Sequence, residues 1–177
     1  MIMKWVGISG TWRKTASKIE KRVRKEVKKI MKKGEGIVSG GALGVDFFAL
    51  DEALKWDKKA ERIKIFLPTT LKRYSQHLRK HARWGDVEKK DVEKLISKLK
   101  ILKKLNPKAL FENPNENFTE KTKKRMYYTR NTRVVNASDK LIAFDVETKE
   151  GKDLGTLDTI KKAEKKGIPI KVFEFKL

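Results

Sequence analysis

Four short turns rich in glycine, serine and threonine carry the groups of this sequence best suited to bind a ligand. Ser9-Gly10-Thr11 follows the first apolar run, Ser39-Gly40-Gly41 the second and Thr69-Thr70 the third, and Gly155-Thr156 precedes the last amphipathic stretch. Glycine lets the backbone approach an anion closely, and the hydroxyls add donors without bulk or charge. A single such turn is usually a helix cap or a tight turn. Four at one edge of a sheet predict a phosphate-binding site.

The spacing of the glycines excludes two common nucleotide motifs. No Gly-Lys-Ser/Thr follows any of the turns, so the sequence lacks a P-loop, and the glycines do not have the dinucleotide spacing. They are Gly7, Gly10, Gly40, Gly41 and Gly44. We therefore expect neither ATP hydrolysis nor NAD chemistry, and we expect no cofactor.

Arginines near these turns provide cations for a phosphate. Arg13 lies just inside the first predicted helix, and Arg130, Asn131 and Arg133 lie within one turn of the fifth. Arginine binds phosphate through a planar fork of donors. For Arg13 a solvated surface charge is an equally good interpretation, whereas the Arg130-Asn131 pair beside an apolar Val-Val seam favours ligand binding.

Carboxylates are present but lack the partners that catalysis needs. Asp46 lies in the first turn of the second predicted helix, where capping the helix dipole is the simpler interpretation. Asp158 lies in the last predicted helix. Both are weak candidates for an acid or base, because the sequence shows no nucleophile, histidine partner or orienting group for either. The sequence therefore favours a protein that is not an enzyme.

Aromatic residues among basic ones permit base stacking on a positive surface. They are Trp12, Tyr74, Trp84, Phe118, Tyr127 and Tyr128. We expect some of them to be core residues. Trp12 is the best stacking candidate, because it adjoins a predicted phosphate turn.

The net charge points to a polyanionic partner. The chain has 45 Lys and Arg against 23 Asp and Glu, a formal net charge of +22. A thermophile-like surface is the alternative, since 38% of residues are charged and cysteine is absent. In thermophilic proteins, however, glutamate and lysine are both abundant, whereas here the glutamate content does not match the lysine content. We expect nucleic acid as the partner. Without cysteine and with two histidines, no metal site is expected.

No signal-peptide pattern and no membrane-spanning stretch is present, so a cytoplasmic protein without membrane contact is expected. A homodimer is a further expectation.

The elements that position these residues alternate as in a parallel α/β fold. Apolar, β-branched runs predict strands at 3–8, 36–38, 62–67, 109–111, 140–144 and 169–175. Helical periodicity predicts helices at 16–34, 47–54, 74–82, 92–102, 119–136 and 157–167, the fifth opened by an Asn117/Glu120 capping box. The expected fold is a Rossmann-like, three-layer α/β/α sandwich with a mostly parallel sheet, one domain over 1–177, with a helical insertion around 86–105.

Two blocks of the sequence resemble a known family. The block from Ser39 to Asp46, continuing to Ala49-Leu50, is similar to a Ser-Gly-x-Ala-x-Gly-Ile-Asp segment. Arg130-Asn131 with Arg133, followed by Gly155-Thr156-Leu157 with Thr159, is similar to an Arg-Asn-Arg helix and a Gly-Ser-Leu-x-Thr-Ala helix start. Together they resemble the Rossmann-like domain of DNA-processing protein A (DprA, or Smf) in the SLOG superfamily.

This resemblance implies a pocket at the sheet edge with Arg13, Gly41, Arg130 and Thr156 near the ligand, and single-stranded nucleic acid as the ligand. SLOG phosphoribohydrolases differ at one decisive position, because Thr159 occupies the place of their catalytic glutamate. Three functions stay open. The first is a nonenzymatic binder of single-stranded DNA or RNA, and the second is a SLOG-type nucleotide sensor or nucleotide N-glycoside hydrolase. The third is a thermostable domain that acts through a protein partner.

Overall fold

Strand and helix patterns that alternate along the chain assemble into one mostly parallel sheet. A computed structural model describes residues 2–13 and 15–177. Met1 and Lys14, which fall within the predicted 1–177 domain, lie outside the described residues. Within the described part the chain forms seven strands and six helices.

The strands are β1 (Trp5–Gly10), β2 (Gly36–Ser39), β3 (Ile63–Phe66), β4 (Leu110–Phe111), β5 (Lys140–Thr148), β6 (Gly151–Lys152) and β7 (Ile170–Lys176). The helices are α1 (Ser17–Lys32), α2 (Val45–Trp56), α3 (Leu71–Trp84), α4 (Lys89–Leu105), α5 (Lys123–Asn136) and α6 (Leu154–Lys166).

The sheet order places the ends of β1, β2 and β5 side by side. Strands run in the order β4-β3-β2-β1-β5, and β7 continues the sheet beyond β5, with every one of these pairs parallel. The short β6 pairs antiparallel with the tip of β5. Because Glu147 pairs with Lys176 of β7 on one side, its pairing with Lys152 lies on the β1 side. The β5–β6 hairpin therefore extends past the carboxyl end of β1.

Helices cover both faces of this sheet, as the buried side chains of β5 show. Ile142 and Phe144 belong to the main core cluster with the apolar faces of α1, α2 and α4. The alternate residues Leu141 and Ala143 pack instead with residues of α5 and α6. Since successive strand residues point to opposite faces, the predicted three-layer α/β/α sandwich is confirmed.

The helix predicted as an insertion contributes to the main core. Val92, Leu95, Leu99 and Leu102 of α4 are each 0% exposed and share a cluster with the strand residues. That α4 is an insertion stays a prediction. In the described part of the chain no helix, α4 with its 17 residues included, is both long and apolar enough to cross a membrane.

Several predicted boundaries are wrong by two to four residues, and three of these errors have a clear cause in the structure. β1 continues through Ser9 and Gly10, because these residues pair with Ala143 and Phe144 of β5. α5 begins at Lys123 instead of Thr119, because Thr122 folds back: its hydroxyl donates to the carbonyl of Asn117 and accepts from the N–H of Thr119. The Asn117/Glu120 capping box therefore does not open this helix.

The third change is at β5, which was expected to end at Phe144 before a polar loop. It runs on to Thr148 and turns back as β6. The extension is supported by β7, whose pairing with β5 continues as far as Glu147 and Lys176.

Candidate functional site

A small cavity of about 50 Å³ lies where β1 and β2 end and where α6 begins. We call it the sheet-edge cavity. Residues from the strand ends, α2, α5 and α6 line it: Ile8, Ser9, Gly10, Trp12, Gly40, Ala42, Asp46, Arg130, Asn131, Val134, Asp153, Gly155, Thr156 and Thr159. Three of the four predicted turns thus meet at one place, although Gly155-Thr156 lies more than a hundred residues after the other two in sequence.

Close packing of α2 on the end of β1 brings two of these turns together. A Cβ at Gly10 would lie 2.6 Å from a methyl carbon of Val45, so only glycine allows this contact. Gly44, with φ +69°, is the residue directly before α2. A Cβ at Gly44 would lie 2.4 Å from the carbonyl oxygen of Thr11. The glycines therefore set the position of α2 against β1 and, with it, the position of Asp46.

Arg130 is the cation of the cavity, and it is already held by the protein. Its Nη1 donates to the carbonyl of Gly40, and its Nε donates to Oδ1 of Asn131 at 2.9 Å. The guanidinium also lies 5.5 Å from the ring centre of Tyr127. Burial raises the pKa of Tyr127 to about 12, so the phenol is protonated at neutral pH. These contacts fix the guanidinium at the cavity wall.

Asp46 is a buried carboxylate beside Arg130. Its Oδ2 accepts from the backbone N–H of Ala42 at 3.1 Å and lies 3.8 Å from Nη1 of Arg130. Burial raises the pKa of Asp46, while Arg130 and the Ala42 N–H act in the opposite direction. The contact with Ala42 shows that Asp46 holds the turn after β2. It is not a cap of α2, whose N-cap Gly44 has no side-chain hydrogen bond.

The N-terminus of α6 is closed by a side chain of its own. Oδ1 of Asp153 accepts from the backbone N–H of Thr156 at 2.9 Å and lies 3.3 Å from its hydroxyl. This is the usual side-chain cap of a helix. The chain's own carboxylate therefore occupies the place at which an external anion would meet this helix start.

A polar network joins α5 to α6 at the floor of the cavity. Nδ2 of Asn131 donates to Oδ2 of Asp158 at 3.0 Å, and Lys162 donates to the same oxygen at 2.7 Å. The hydroxyl of Thr159 donates to the carbonyl of Gly155 at 3.0 Å. With these partners Asp158 holds the two helices together.

Other predicted ligand residues lie outside the cavity lining. Arg133 sits 4.9 Å over the ring of Phe66, and burial lowers its pKa. Arg13 is exposed and stacks at 4.2 Å on Trp12, which does line the cavity.

Three further predicted positions are buried next to the cavity. The hydroxyl of Ser39 donates to the carbonyl of Ile8 at 3.2 Å, and the carbonyl of Gly41 accepts from Tyr74. Thr11 is 4% exposed. The remaining turn, Thr69-Thr70, caps α3: the Thr70 hydroxyl accepts from the N–H of Arg73 at 3.3 Å.

Sequence reasoning missed Asp153, together with Ile8, Ala42 and Val134 of the lining. A signal for Asp153 was present, because an aspartate three residues before a threonine at a helix start is a common N-cap pattern. Ile8, Ala42 and Val134 carry no such signal, since their side chains only fill space.

The cavity places an arginine and glycine backbone, which suit an anion, beside two carboxylates. Its two lining carboxylates, Asp46 and Asp153, are engaged by backbone N–H groups. A general base must reach the proton that it removes, and one oxygen of each carboxylate is already occupied by these N–H groups. What the cavity presents is one arginine, glycine backbone and a helix start.

Solved structures of other proteins share this fold. DNA processing protein A from Helicobacter pylori matches with a TM-score of 0.65 and 22% identity over 96% of this chain and 64% of its own. The Streptococcus pneumoniae protein matches with a TM-score of 0.57 and 18% identity over 96% of this chain and 50% of its own. This chain thus spans less than two thirds of either protein.

A molybdenum cofactor binding protein from Rippkaea orientalis has the same architecture, with a TM-score of 0.60 and 18% identity over 99% of this chain and 78% of its own. No curated protein matches the sequence. The family model for DNA recombination-mediator protein A matches residues 2–176. The chain therefore belongs to the DNA recombination-mediator protein A family.

Proposed function

We propose that this protein binds single-stranded nucleic acid, DNA or RNA, along the edge of the sheet and does not act as an enzyme. The observation that carries the proposal is the convergence of β1, β2 and α6 on one cavity that Arg130 lines. Glycine backbone and an arginine are groups that phosphates bind, whereas the start of α6 beside them is already capped by Asp153. In this proposal one phosphate enters the cavity and the strand continues over Trp12 and Arg13.

Charge and family support the same ligand. A formal net charge of +22 attracts polyanions that approach the protein from many directions. A single-stranded DNA binding mode is described for the related H. pylori protein. This chain spans 64% of that protein's length. We include a role of this chain in DNA processing in what we propose.

The size of the cavity argues against the alternative of a nucleotide sensor or N-glycoside hydrolase. Small-molecule sites usually enclose about 300–1,000 Å³, whereas the sheet-edge cavity has about 50 Å³. That space suits part of a phosphate group and leaves the sugar and base outside. A strand held by its backbone fits this geometry better than an enclosed mononucleotide.

Asp153 offers a sharper test than Arg130, because Arg130 also holds Gly40 and its loss would disturb the fold. Asparagine caps a helix about as well as aspartate, so Asp153→Asn removes a negative charge from the cavity and keeps the cap. We expect this variant to bind more tightly. A gain in affinity has the further advantage that misfolding does not produce it.

The experiment is fluorescence anisotropy of labelled single-stranded DNA, single-stranded RNA and duplex DNA at two salt concentrations. Glu164→Gln, the same charge change on an exposed position of α6, is the matched control. The proposal predicts salt-sensitive single-strand binding that Asp153→Asn tightens at least about threefold and Glu164→Gln leaves nearly unchanged. It is contradicted by duplex binding of equal strength, by equal effects of the two variants, or by tighter binding of mononucleotides than of strands.

A further inference from the structure

A second surface, outside the lining of the sheet-edge cavity, combines basic and aromatic side chains along one side of α3. Arg73, His77, Lys80 and Arg83 follow one another at intervals of three or four residues, so they share a face of the helix. Phe118, from the segment before α5, closes the other side. Together they line an open groove of about 730 Å³, which we call the α3 groove.

A continuous series of rings connects the α3 groove to the cavity. Arg130 lies over Tyr127, whose ring centre is 5.6 Å from that of Phe118. Phe118 and His77 are 4.7 Å apart. These distances are typical of aromatic contacts, so the groove begins within one side chain of the cavity's arginine.

The series continues to the solvent at the end of α3. His77 and His81 are 4.5 Å apart, and His81 and Trp84 are 5.3 Å apart. Trp84 is 56% exposed, and Nζ of Lys80 lies 4.5 Å from its ring centre. A large exposed indole beside a lysine is a suitable stacking platform for a base.

The electrostatics of the α3 groove favour an anionic ligand. Arg73, Lys80 and Arg83 line it, against the single lining carboxylate Glu120, which Lys123 pairs at 2.5 Å. Arg73 donates to the backbone carbonyl of Glu116 at 3.2 Å, a contact that orients its charge without cancelling it.

His77 supplies a neutral, flat ring at the centre of this surface. Burial, followed by the positive charges of His81, Lys123 and Lys80, lowers the pKa of His77 to about 4, although Glu120 acts in the opposite direction. At neutral pH the imidazole therefore carries no charge.

We propose that the α3 groove is a second binding surface for single-stranded nucleic acid, on which the strand leaving the sheet-edge cavity is held. Phosphates bind Arg73, Lys80 and Arg83, and bases stack on Phe118 and Trp84. This inference rests on the proposed function, because it extends the path of the same strand. It predicts a binding site longer than the sheet-edge cavity alone provides.

Oligonucleotides of two lengths test this path. A strand of about 4 nucleotides fits one surface, whereas one of about 16 nucleotides reaches both. The Lys80→Glu, Arg83→Glu variant is compared with Lys21→Glu, Lys25→Glu, which makes the same charge change on exposed positions of α1. We expect the α3 variant to bind the long strand at least about tenfold more weakly and the short strand nearly as wild type, whereas the α1 control weakens both lengths slightly.

Tryptophan fluorescence gives a second readout that does not depend on charge. A base stacked on Trp84 quenches its emission, so Trp84→Phe should lose part of the quenching that the long strand causes and none of that caused by the short strand. Equal losses in the α3 and α1 variants, or quenching unchanged in Trp84→Phe, would overturn the α3 groove. Failure of the proposed function shows separately, as short-strand binding that does not respond to Asp153→Asn.

Discussion

Single side chains at the sheet edge serve the fold and the proposed ligand at once. Arg130 bonds the Gly40 carbonyl and lies 3.8 Å from a buried carboxylate oxygen of Asp46. A buried carboxylate that loses its cation is strongly destabilising. In the proposed complex, a phosphate in the cavity would share this arginine with the protein.

Gly10 provides the first prediction at the residue scale. In Gly10→Ala the new Cβ would lie 2.6–2.8 Å from three carbon atoms of Val45, so α2 must shift. We expect urea denaturation to show a free energy of unfolding about 1–3 kcal/mol below wild type.

Gly155→Ala is the matched control, because a Cβ there meets only Oδ1 of Asp153, at 3.2 Å. Its unfolding free energy should stay level or rise by up to about 1 kcal/mol, since alanine suits a helix better than glycine. If both variants lose the same free energy of unfolding, contact between α2 and β1 does not explain why residue 10 is glycine.

His77 makes stability depend on pH. Its folded pKa of about 4 lies below the unfolded value of 6.5, so between these values the unfolded chain binds more protons. Stability therefore falls as the pH drops from 6.5 towards 4. The charged and titratable groups around the ring are Glu120, Lys80, Lys123 and His81. Replacing His77 should therefore remove its contribution to the dependence of stability on pH.

The measurement is the free energy of unfolding from pH 7 to pH 4 for wild type and His77→Gln. We expect the two curves to diverge, with the variant losing less stability on acidification. Parallel curves would show that His77 titrates normally in the folded protein.

Residue types at the site were readable from the sequence, whereas their partners were not. The glycine and hydroxyl turns and Arg130 stand out as phosphate-binding types, and three turns do meet at one cavity. The separation of Arg130 from Arg133 depends on which face of α5 meets the sheet. Arg133, one helical turn after Arg130, lies over the ring of Phe66. The local sequence does not show which of the two arginines faces the cavity.

At the scale of elements, periodicity located every helix and all strands except the two-residue β6. The errors in the strands lie where pairing with a neighbouring strand overrides local preference. β5 is four residues longer than predicted because β7 pairs along it. α5 begins late because Thr122 bonds backward to Asn117. Pairing between distant strands decides the end of β5, so a local pattern does not reveal it. The start of α5 is decided by a bond over only five residues, which replaces the capping box that the local pattern predicted.

The helix α4 gives a prediction at this scale. Leu99 is fully buried and would lie 3.6 Å from a Cβ at Gly41, whereas Ile101 on the same helix is 45% exposed. Leu99→Ala should lower the free energy of unfolding by about 2–5 kcal/mol. Ile101→Ala should lower it by less than about 1 kcal/mol.

Chemical denaturation of both variants decides whether α4 belongs to the core. A small loss for Leu99→Ala would show that α4 is a peripheral addition that the sheet does not need.

For the whole molecule, the main rival to a defined site is the charge itself. A chain with a formal net charge of +22 binds polyanions anywhere on its surface to some degree. Position on the sheet separates the two accounts. Arg13 is exposed beside the sheet-edge cavity, and Lys58 is exposed in the connection that precedes β3, at the opposite edge of the sheet.

The most direct test is the salt dependence of single-strand binding for wild type, Arg13→Glu and Lys58→Glu. Each phosphate contact contributes about 0.7 to the slope of log affinity against log salt concentration. If the strand binds at the sheet edge, Arg13→Glu should lower this slope by about 0.7 and weaken binding several-fold. Lys58→Glu, which makes the same change in net charge, should leave the slope unchanged. Equal slopes and equal losses of affinity in the two variants would contradict a binding site at the sheet edge.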